Sequence, residues 1–228
     1  MSEMKPAIPH PGWPKVFIKL MKLRVIVLLQ ITAICAILVH DLLSRHGLID
    51  VDRSWEDTFF ACLITIVGGT LSAGGSNAIN MWFDADIDQH MRRTQNRPVP
   101  LGHISADGAL IFGVIIAASG SALFLLVSWK AAFWSFFSVL FYVFVYTIWL
   151  KRRTPQNIVI GGIAGSTPPL IGWAVAAADY TSNYNPLDLG SAIPWMLFAL
   201  IFLWTPPHFW ALALYRSGEY DKAQVPMT

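Results

Sequence analysis

Residues 59–88, FFACLITIVGGTLSAGGSNAINMWFDADID, pass from an uncharged run to three carboxylates within thirty positions. From Phe59 to Asn80 there is no Lys, Arg, Asp or Glu, and about 20 such apolar residues are what a helix needs to cross the hydrocarbon of a bilayer. Gly68, Gly69, Ser72, Ala73, Gly74, Gly75 and Ser76 fill the second half of that run. Small residues let helix backbones approach closely in lipid, where packing drives association, so this helix belongs inside a bundle. At Asp84, Asp86 and Asp88 the chain meets water again.

The pattern recurs outward in both directions. Of 228 residues 55% are hydrophobic and 13% charged, against the roughly 25% charged residues of a soluble domain. Uncharged windows predict helices near Val25–His40, Phe59–Asn80, Ala109–Trp129, Ala131–Leu150, Ile158–Ala178 and Ile193–Tyr215. A mid-membrane charge costs ~2.5–3.5 kcal/mol, which is the selection such windows reflect. The fold class is therefore all-α, a polytopic transmembrane bundle forming a single domain over 1–228, with no strand required. Only Lys130 separates the third and fourth windows, which predicts a tight antiparallel hairpin. Gly161, Gly162, Ala164, Gly165 and Ser166 place the fifth helix inside the bundle as well, and Pro168, Pro169, Pro206 and Pro207 should kink or loosen the last two.

Charge position sets the topology. Alternate assignment of the loops puts 13 of the 16 Lys and Arg on one side: five in the first 24 residues, Arg92, Arg93 and Arg97, Lys151 to Arg153, and Arg216 with Lys222. Arg45, Arg53 and Lys130 fall on the other. Cytoplasmic loops retain positive charge, so both ends are expected in the cytoplasm, as in a multi-pass protein of a bacterial inner membrane. The first helix reads as a retained anchor, because no small-residue cleavage pattern follows it. A net charge of +2 gives no field for nucleic acid. Cys35 and Cys62 lie in apolar runs and exclude a disulfide framework or multi-cysteine metal site by number.

The chemistry concentrates at the charged side. Asn80, Asp84 and Asp88 are spaced by four and line one face if the helix continues. Hard oxygen donors without His or Cys suit Mg²⁺, which binds through a few carboxylates and substrate phosphates. Arg92, Arg93, Arg97, Lys151, Arg152 and Arg153 share that side, and acids for a metal beside bases for phosphate point to a diphosphate. A solvated helix end with surface pairs such as Asp88 with Arg92 is the competing reading of the same spacing. A second cluster, Tyr215-Arg216-Ser-Gly-Glu219-Tyr220-Asp221, follows the sixth window four spans later. It hints at two repeated halves, and equally suits an ordinary juxtamembrane loop.

Asn80-x-x-x-Asp84-x-Asp86-Ile-Asp88 with Met91-Arg92-Arg93-Thr94 and Arg97-Pro98 resembles the first aspartate-rich signature of the UbiA-type intramembrane prenyltransferases. Within that family the likeness is to its haem-farnesylating branch. It extends through Leu150 to Thr154, Asn157 to Gly162, Pro168-Pro169-x-Ile171-Gly172-Trp173, Trp204-x-Pro206-Pro207-His208-Phe209 and the run from Tyr215 to Pro226, nearly the whole chain. The resemblance implies farnesyl diphosphate and haem B as substrates, haem O as product, and terminal oxidase assembly proteins as partners downstream. It implies Asn80, Asp84 and Asp88 as catalytic residues and Mg²⁺ ligands, with Tyr215 and Glu219 in the second acidic motif and Glu219 as a further metal ligand. Lys151 and Arg152, with Arg92 and Arg93, would bind the diphosphate. His208 would approach the haem, or else bond to backbone freed by Pro206 and Pro207. The aromatic run Trp134 to Trp149 would line a prenyl tunnel or face lipid.

Three departures stand out. Lys22-Leu23-Arg24 takes the place of a Lys-Pro-Arg, Glu219 replaces an aspartate, and about three further helices of a nine-helix fold are expected beyond Thr228. A UbiA-type enzyme acting on a quinone or chlorophyll precursor, and an assembly factor that binds haem without turnover, remain as alternatives; the signatures around Asn157, Trp173 and His208 favour haem. A cation transporter would require ionisable groups near the midplane, and the windows hold none.

Overall fold

The computed structural model describes residues 10–91, 94–178 and 183–215, with backbone only for 212–215. The described elements are helical throughout: α1 (Trp13–Met21), α2 (Leu23–Arg45), α3 (Trp55–Phe83), α4 (Ala85–Asp88), α5 (Ala106–Leu123), α6 (Trp129–Leu140), α7 (Asn157–Ser166), α8 (Pro168–Ala176) and α9 (Ile193–Tyr215). A wide-turned π segment, Phe141–Leu150, continues α6. Five stretches are long and apolar enough to cross a membrane: Leu23–Arg45, Trp55–Phe83, Ala106–Leu126, Trp129–Leu150 and Asn157–Ala176. The sixth expected span is the helix α9, 23 residues long, whose second half is diluted by Thr205, Pro206, Pro207 and His208.

The helices outrun the uncharged windows because charge at a span's end is tolerated when it is paired. α2 continues past His40 to Arg45 and carries Asp41, which is wholly buried. Arg53 Nε stands 2.8 Å from Asp41, Thr58 Oγ1 donates to it at 2.6 Å, and His40 Nδ1 lies 2.8 Å away, so the carboxylate is enclosed by donors. α3 begins four residues before its window, at Trp55, where Ser54 and Asp57 cap each other reciprocally. α1, an amphipathic helix before the first span, has no counterpart in the windows. Its Val16 and Leu20 bury against Ala78, Met81 and Ala109.

Lys130 does not separate two helices, as the windows imply. α5 ends at Leu123, a tight turn at Phe124–Leu126 follows, and Ser128 caps α6, so Lys130 falls inside the first turn of α6. There it is buried and donates to Asn183 Oδ1 at 2.9 Å and the Asp188 carbonyl at 2.5 Å. Three indoles fasten the same loop: Trp134 donates to Pro186 O, Trp195 to Leu187 O and Trp173 to Leu189 O. The fifth window divides at Thr167, where Pro168 and Pro169 withhold two backbone donors, and α9 runs on through its own proline pair.

The small residues do what their size allows. α3 packs along α5. A methyl on Gly120 would stand 2.7 Å from Gly68 O, and one on Gly113 would stand 2.9 Å from Gly75 O, so only hydrogen fits between these backbones. α8 is buried from end to end and lies against α2.

Candidate active site

α3 stops at Phe83, and Asp84 (φ −88°, ψ 5°) stands between it and α4. Two hydrogen bonds carry the helical pitch across the break: Asp84 N–H to Asn80 O at 3.0 Å and Asp88 N–H to Asp84 O at 2.8 Å. Asn80, Asp84 and Asp88 therefore keep the shared face that their spacing predicts. All three are buried, at 3%, 1% and 3% exposure, which excludes a solvated helix end.

Burial of two carboxylates needs compensation, and it arrives from distant segments. Lys151, at the end of the π segment, pairs with Asp84 Oδ2. Arg97 in the loop after α4 donates to Asp88 Oδ2 at 2.5 Å, and Thr94 Oγ1 donates to Asp88 O at 2.9 Å. Lys22, between α1 and α2, donates to Asn80 Oδ1 at 2.9 Å, while Asn80 Nδ2 donates to Thr147 Oγ1 at 3.2 Å. Burial, with the positive charges of Arg97 and Lys151 beside it, pushes the Lys22 ammonium down to about 7. Burial raises the Asp88 carboxyl above its usual range, opposed by Arg97. Arg152 forks onto Asp86 at 2.8 and 2.7 Å, donates to Phe83 O, and lies over the Phe83 ring. The hydrogen bonds from Arg152 hold the Asp86 carboxyl below the usual aspartate range.

One acceptor is left over. Asp84 Oδ1 is buried without a hydrogen bond, 4.0 Å from Arg152 Nη2. An orphaned carboxylate oxygen beside a second buried carboxylate and an amide is a donor set that fits a small hard cation. Among the described residues no three His, Cys, Asp or Glu converge on one point, and Mg²⁺ ordinarily binds through one or two carboxylates together with water and substrate phosphates.

Residues 26–228 match the model of the UbiA prenyltransferase family. The chain belongs to that family. A relative named Protoheme IX farnesyltransferase from Parvibaculum lavamentivorans is 46% identical over 217 residues, 95% of this chain and 61% of that one. The chain thus spans about three fifths of the length of such relatives. Among solved structures, one described for the biosynthesis of digeranylgeranylglyceryl phosphate synthase in membranes superposes with a TM-score of 0.68 at 20% identity, over 93% of this chain and 67% of the other. A UbiA homolog from Archaeoglobus fulgidus, bound to GPP and Mg2+, gives 0.60 at 15% identity over 91% and 66%. At these identities the likeness is one of fold.

In this UbiA-family chain the expected site residues divide into three groups. Asn80, Asp84, Asp88, Lys151 and Arg152 come together, although Arg152 is committed to Asp86. Arg92, Arg93 and Glu219 lie outside the described residues, and Tyr215 is described by backbone alone. His208 is exposed on α9, stacked on Trp204 at 4.4 Å with its edge against Phe209, and no described contact joins it to the acids. Arg97, counted in sequence only as one base on this side, is the direct partner of Asp88. Lys22 and Thr147 join the site without any signal in spacing, since they stand 58 and 67 positions from the Asn80 they bond. The π segment supplies Thr147, and its Tyr142 and Tyr146 rings lie 5.2 Å apart, tilted by 30°. The π-helix is rare, and its single-turn bulges are frequent at functional sites.

Proposed function

We propose that this chain transfers the farnesyl group of farnesyl diphosphate to a vinyl group of haem B, giving haem O. The observation that carries the reading is the buried file of Asn80, Asp84 and Asp88 with Lys151 and Arg97 against it, in a family whose 46%-identical member is named a protoheme IX farnesyltransferase. Magnesium held by Asn80, Asp84 and Asp88, with Glu219 as a further ligand, would neutralise the diphosphate as it leaves. Lys151 and Arg97 would hold the phosphate oxygens, assisted by Lys22, Arg92 and Arg93; Arg152 would fix the acid-bearing helix end through Asp86 and Phe83. As the carbon–oxygen bond breaks, its electron pair goes with the diphosphate, where these bases stabilise it. The farnesyl cation so formed takes the vinyl π electrons to make the new carbon–carbon bond. Water then adds to the resulting cation on the haem side chain and releases a proton. His208, on a helix that returns toward this end, is the haem-facing candidate. With the positive loops on the cytoplasmic side, both ends would lie in the cytoplasm of a bacterial cell, and haem O made at its inner membrane would pass to terminal oxidase assembly.

The test is to supply membranes containing the chain with haem B, farnesyl diphosphate and Mg²⁺, and to measure haem O by mass. Haem O that disappears in Asp84→Asn, with haem binding retained, supports an enzyme over a haem-binding assembly factor. Prenylation of a quinone precursor in place of haem would overturn the substrate assignment.

A further inference from the structure

Each of the three oxygen groups assigned to the metal is held by its own basic side chain: Asn80 Oδ1 by Lys22 at 2.9 Å, Asp84 by Lys151, and Asp88 Oδ2 by Arg97 at 2.5 Å. The farnesyl-transfer chemistry by itself needs bases near the diphosphate and does not call for one base on each of these oxygen groups. We propose that Lys22, Lys151 and Arg97 form a changeover set: they hold the acids closed until metal and diphosphate arrive together, then pass to the diphosphate oxygens, so that neither ligand binds well alone. The inference rests on the diphosphate reading above.

Electrostatics separates the three modes of entry. A divalent cation entering alone, even at the unpaired Asp84 Oδ1, must stand within a few ångströms of the Lys151 and Arg97 charges, where like charges at ~4 Å repel by ~4 kcal/mol per unit pair at an intermediate dielectric. A diphosphate entering alone can draw those bases only by abandoning carboxylates whose side chains are 1% and 5% exposed, and an unpaired buried charge is heavily penalised. Joint entry leaves every charge paired. Exposure tells which partner moves: the Lys151 and Arg97 side chains keep 20% and 21% of their surface accessible and can swing outward, whereas the acids are fixed on a helical turn. Lys22 is built in with equal care. Among the described residues it is the only non-glycine with positive φ (55°), and Asn77 Nδ2 anchors the preceding carbonyl at 2.9 Å. Strain of that kind persists where the surroundings hold it in place.

Isothermal titration of the chain in detergent micelles tests this with three titrants: Mg²⁺ alone, inorganic pyrophosphate with a chelator, and pyrophosphate in saturating Mg²⁺. Reciprocal coupling predicts that Mg²⁺ tightens pyrophosphate binding by ~50-fold or more in the unaltered chain. Arg97→Gln, which uncovers Asp88, should tighten Mg²⁺ alone by about tenfold while weakening pyrophosphate with Mg²⁺, so the coupling shrinks. Lys22→Met should likewise tighten Mg²⁺ alone and weaken pyrophosphate with Mg²⁺, through Asn80, and it carries the test if circular dichroism shows that Arg97→Gln does not fold. Mg²⁺ binding that is equally tight with and without pyrophosphate, or variants that weaken both ligands alike, would overturn the changeover while leaving a diphosphate site standing. Absence of pyrophosphate binding under every condition would overturn both.

Discussion

Asp84→Asn and Lys151→Met, made singly and together, probe the central pair. The Asp84 side chain is 1% exposed and that of Lys151 20%, so the two changes are not equivalent. At contact distance and an effective dielectric near 20 the gross attraction is ~4–5 kcal/mol. Breaking a buried pair from one side costs ~3–5 kcal/mol because the other charge is stranded. Asp84→Asn strands an ammonium that can still reach water, which puts it at the lower end, ~3 kcal/mol. Lys151→Met strands a sealed carboxylate whose nearest remaining base, Arg152, is 4.0 Å away, which puts it at the upper end. The double variant removes both charges and should recover at least ~2 kcal/mol relative to additivity. Equilibrium unfolding in mixed micelles, followed by circular dichroism, measures all four corners of the cycle. Farnesyl transfer should fall by ~10²-fold or more in Asp84→Asn and in the double variant alike, since recovered stability does not restore the carboxylate. Strict additivity of the two stability changes would refute the pairing, and near-normal turnover in Asp84→Asn would refute its role.

Gly120→Ala should destabilise the α3–α5 packing by ~1–3 kcal/mol, because its methyl meets the Gly68 carbonyl oxygen at 2.7 Å, whereas Gly165→Ala, which meets nothing within 4 Å, should be close to neutral in the same unfolding assay. Trp173→Phe removes the indole donor from a buried bond to Leu189 O and should lower stability by ~1–3 kcal/mol, with faster proteolysis near residue 189 as the local readout. The lowered Asp86 carboxyl makes a pH prediction. Its folded value lies below its unfolded one, so the stabilisation is complete above about pH 4 and is lost as pH falls through the folded value. The difference in unfolding midpoint between the unaltered chain and Asp86→Asn should therefore be flat at neutral pH and close in acid.

What the sequence disclosed follows the range over which each interaction acts. Span positions are legible because lipid excludes unpaired charge, and the face shared by Asn80, Asp84 and Asp88 is legible because a helix repeats every 3.6 residues. Gly113 and Gly120 face Gly75 and Gly68 for a reason that small-residue runs announce, namely close backbone approach. Asp41 was hidden because its compensation, Arg53 and Thr58, comes from the next loop and helix, so a span ended in sequence where it continues in space. Lys130 misled for the same reason: its partners, Asn183 and Asp188, are more than 50 positions away. The π segment has no hydrophobic signature distinct from an α-helix, and its apolar run from Phe141 to Leu150 reads identically in either geometry.

The acids of the site also close one end of the bundle. Asp84 and Asp88, with Asn80, bind three segments that are otherwise remote: the α1–α2 junction through Lys22, the loop after α4 through Arg97, and the turn before α7 through Lys151. Asp86 adds a fourth hold through Arg152, and it is the one pair of the set that is largely exposed, with the carboxylate 64% accessible. A solvated pair contributes little stability and gives little away, so Asp86 and Arg152 can stay joined throughout turnover and keep the helix end in place. Under the proposed changeover the buried pairs carry the opposite balance, since their partners would let go for a diphosphate to be gripped. Ligand binding at this end would then draw on the same contacts that hold the end shut. Variants that strengthen the clasp should raise stability while slowing entry, which is the trade expected where binding and folding share charges.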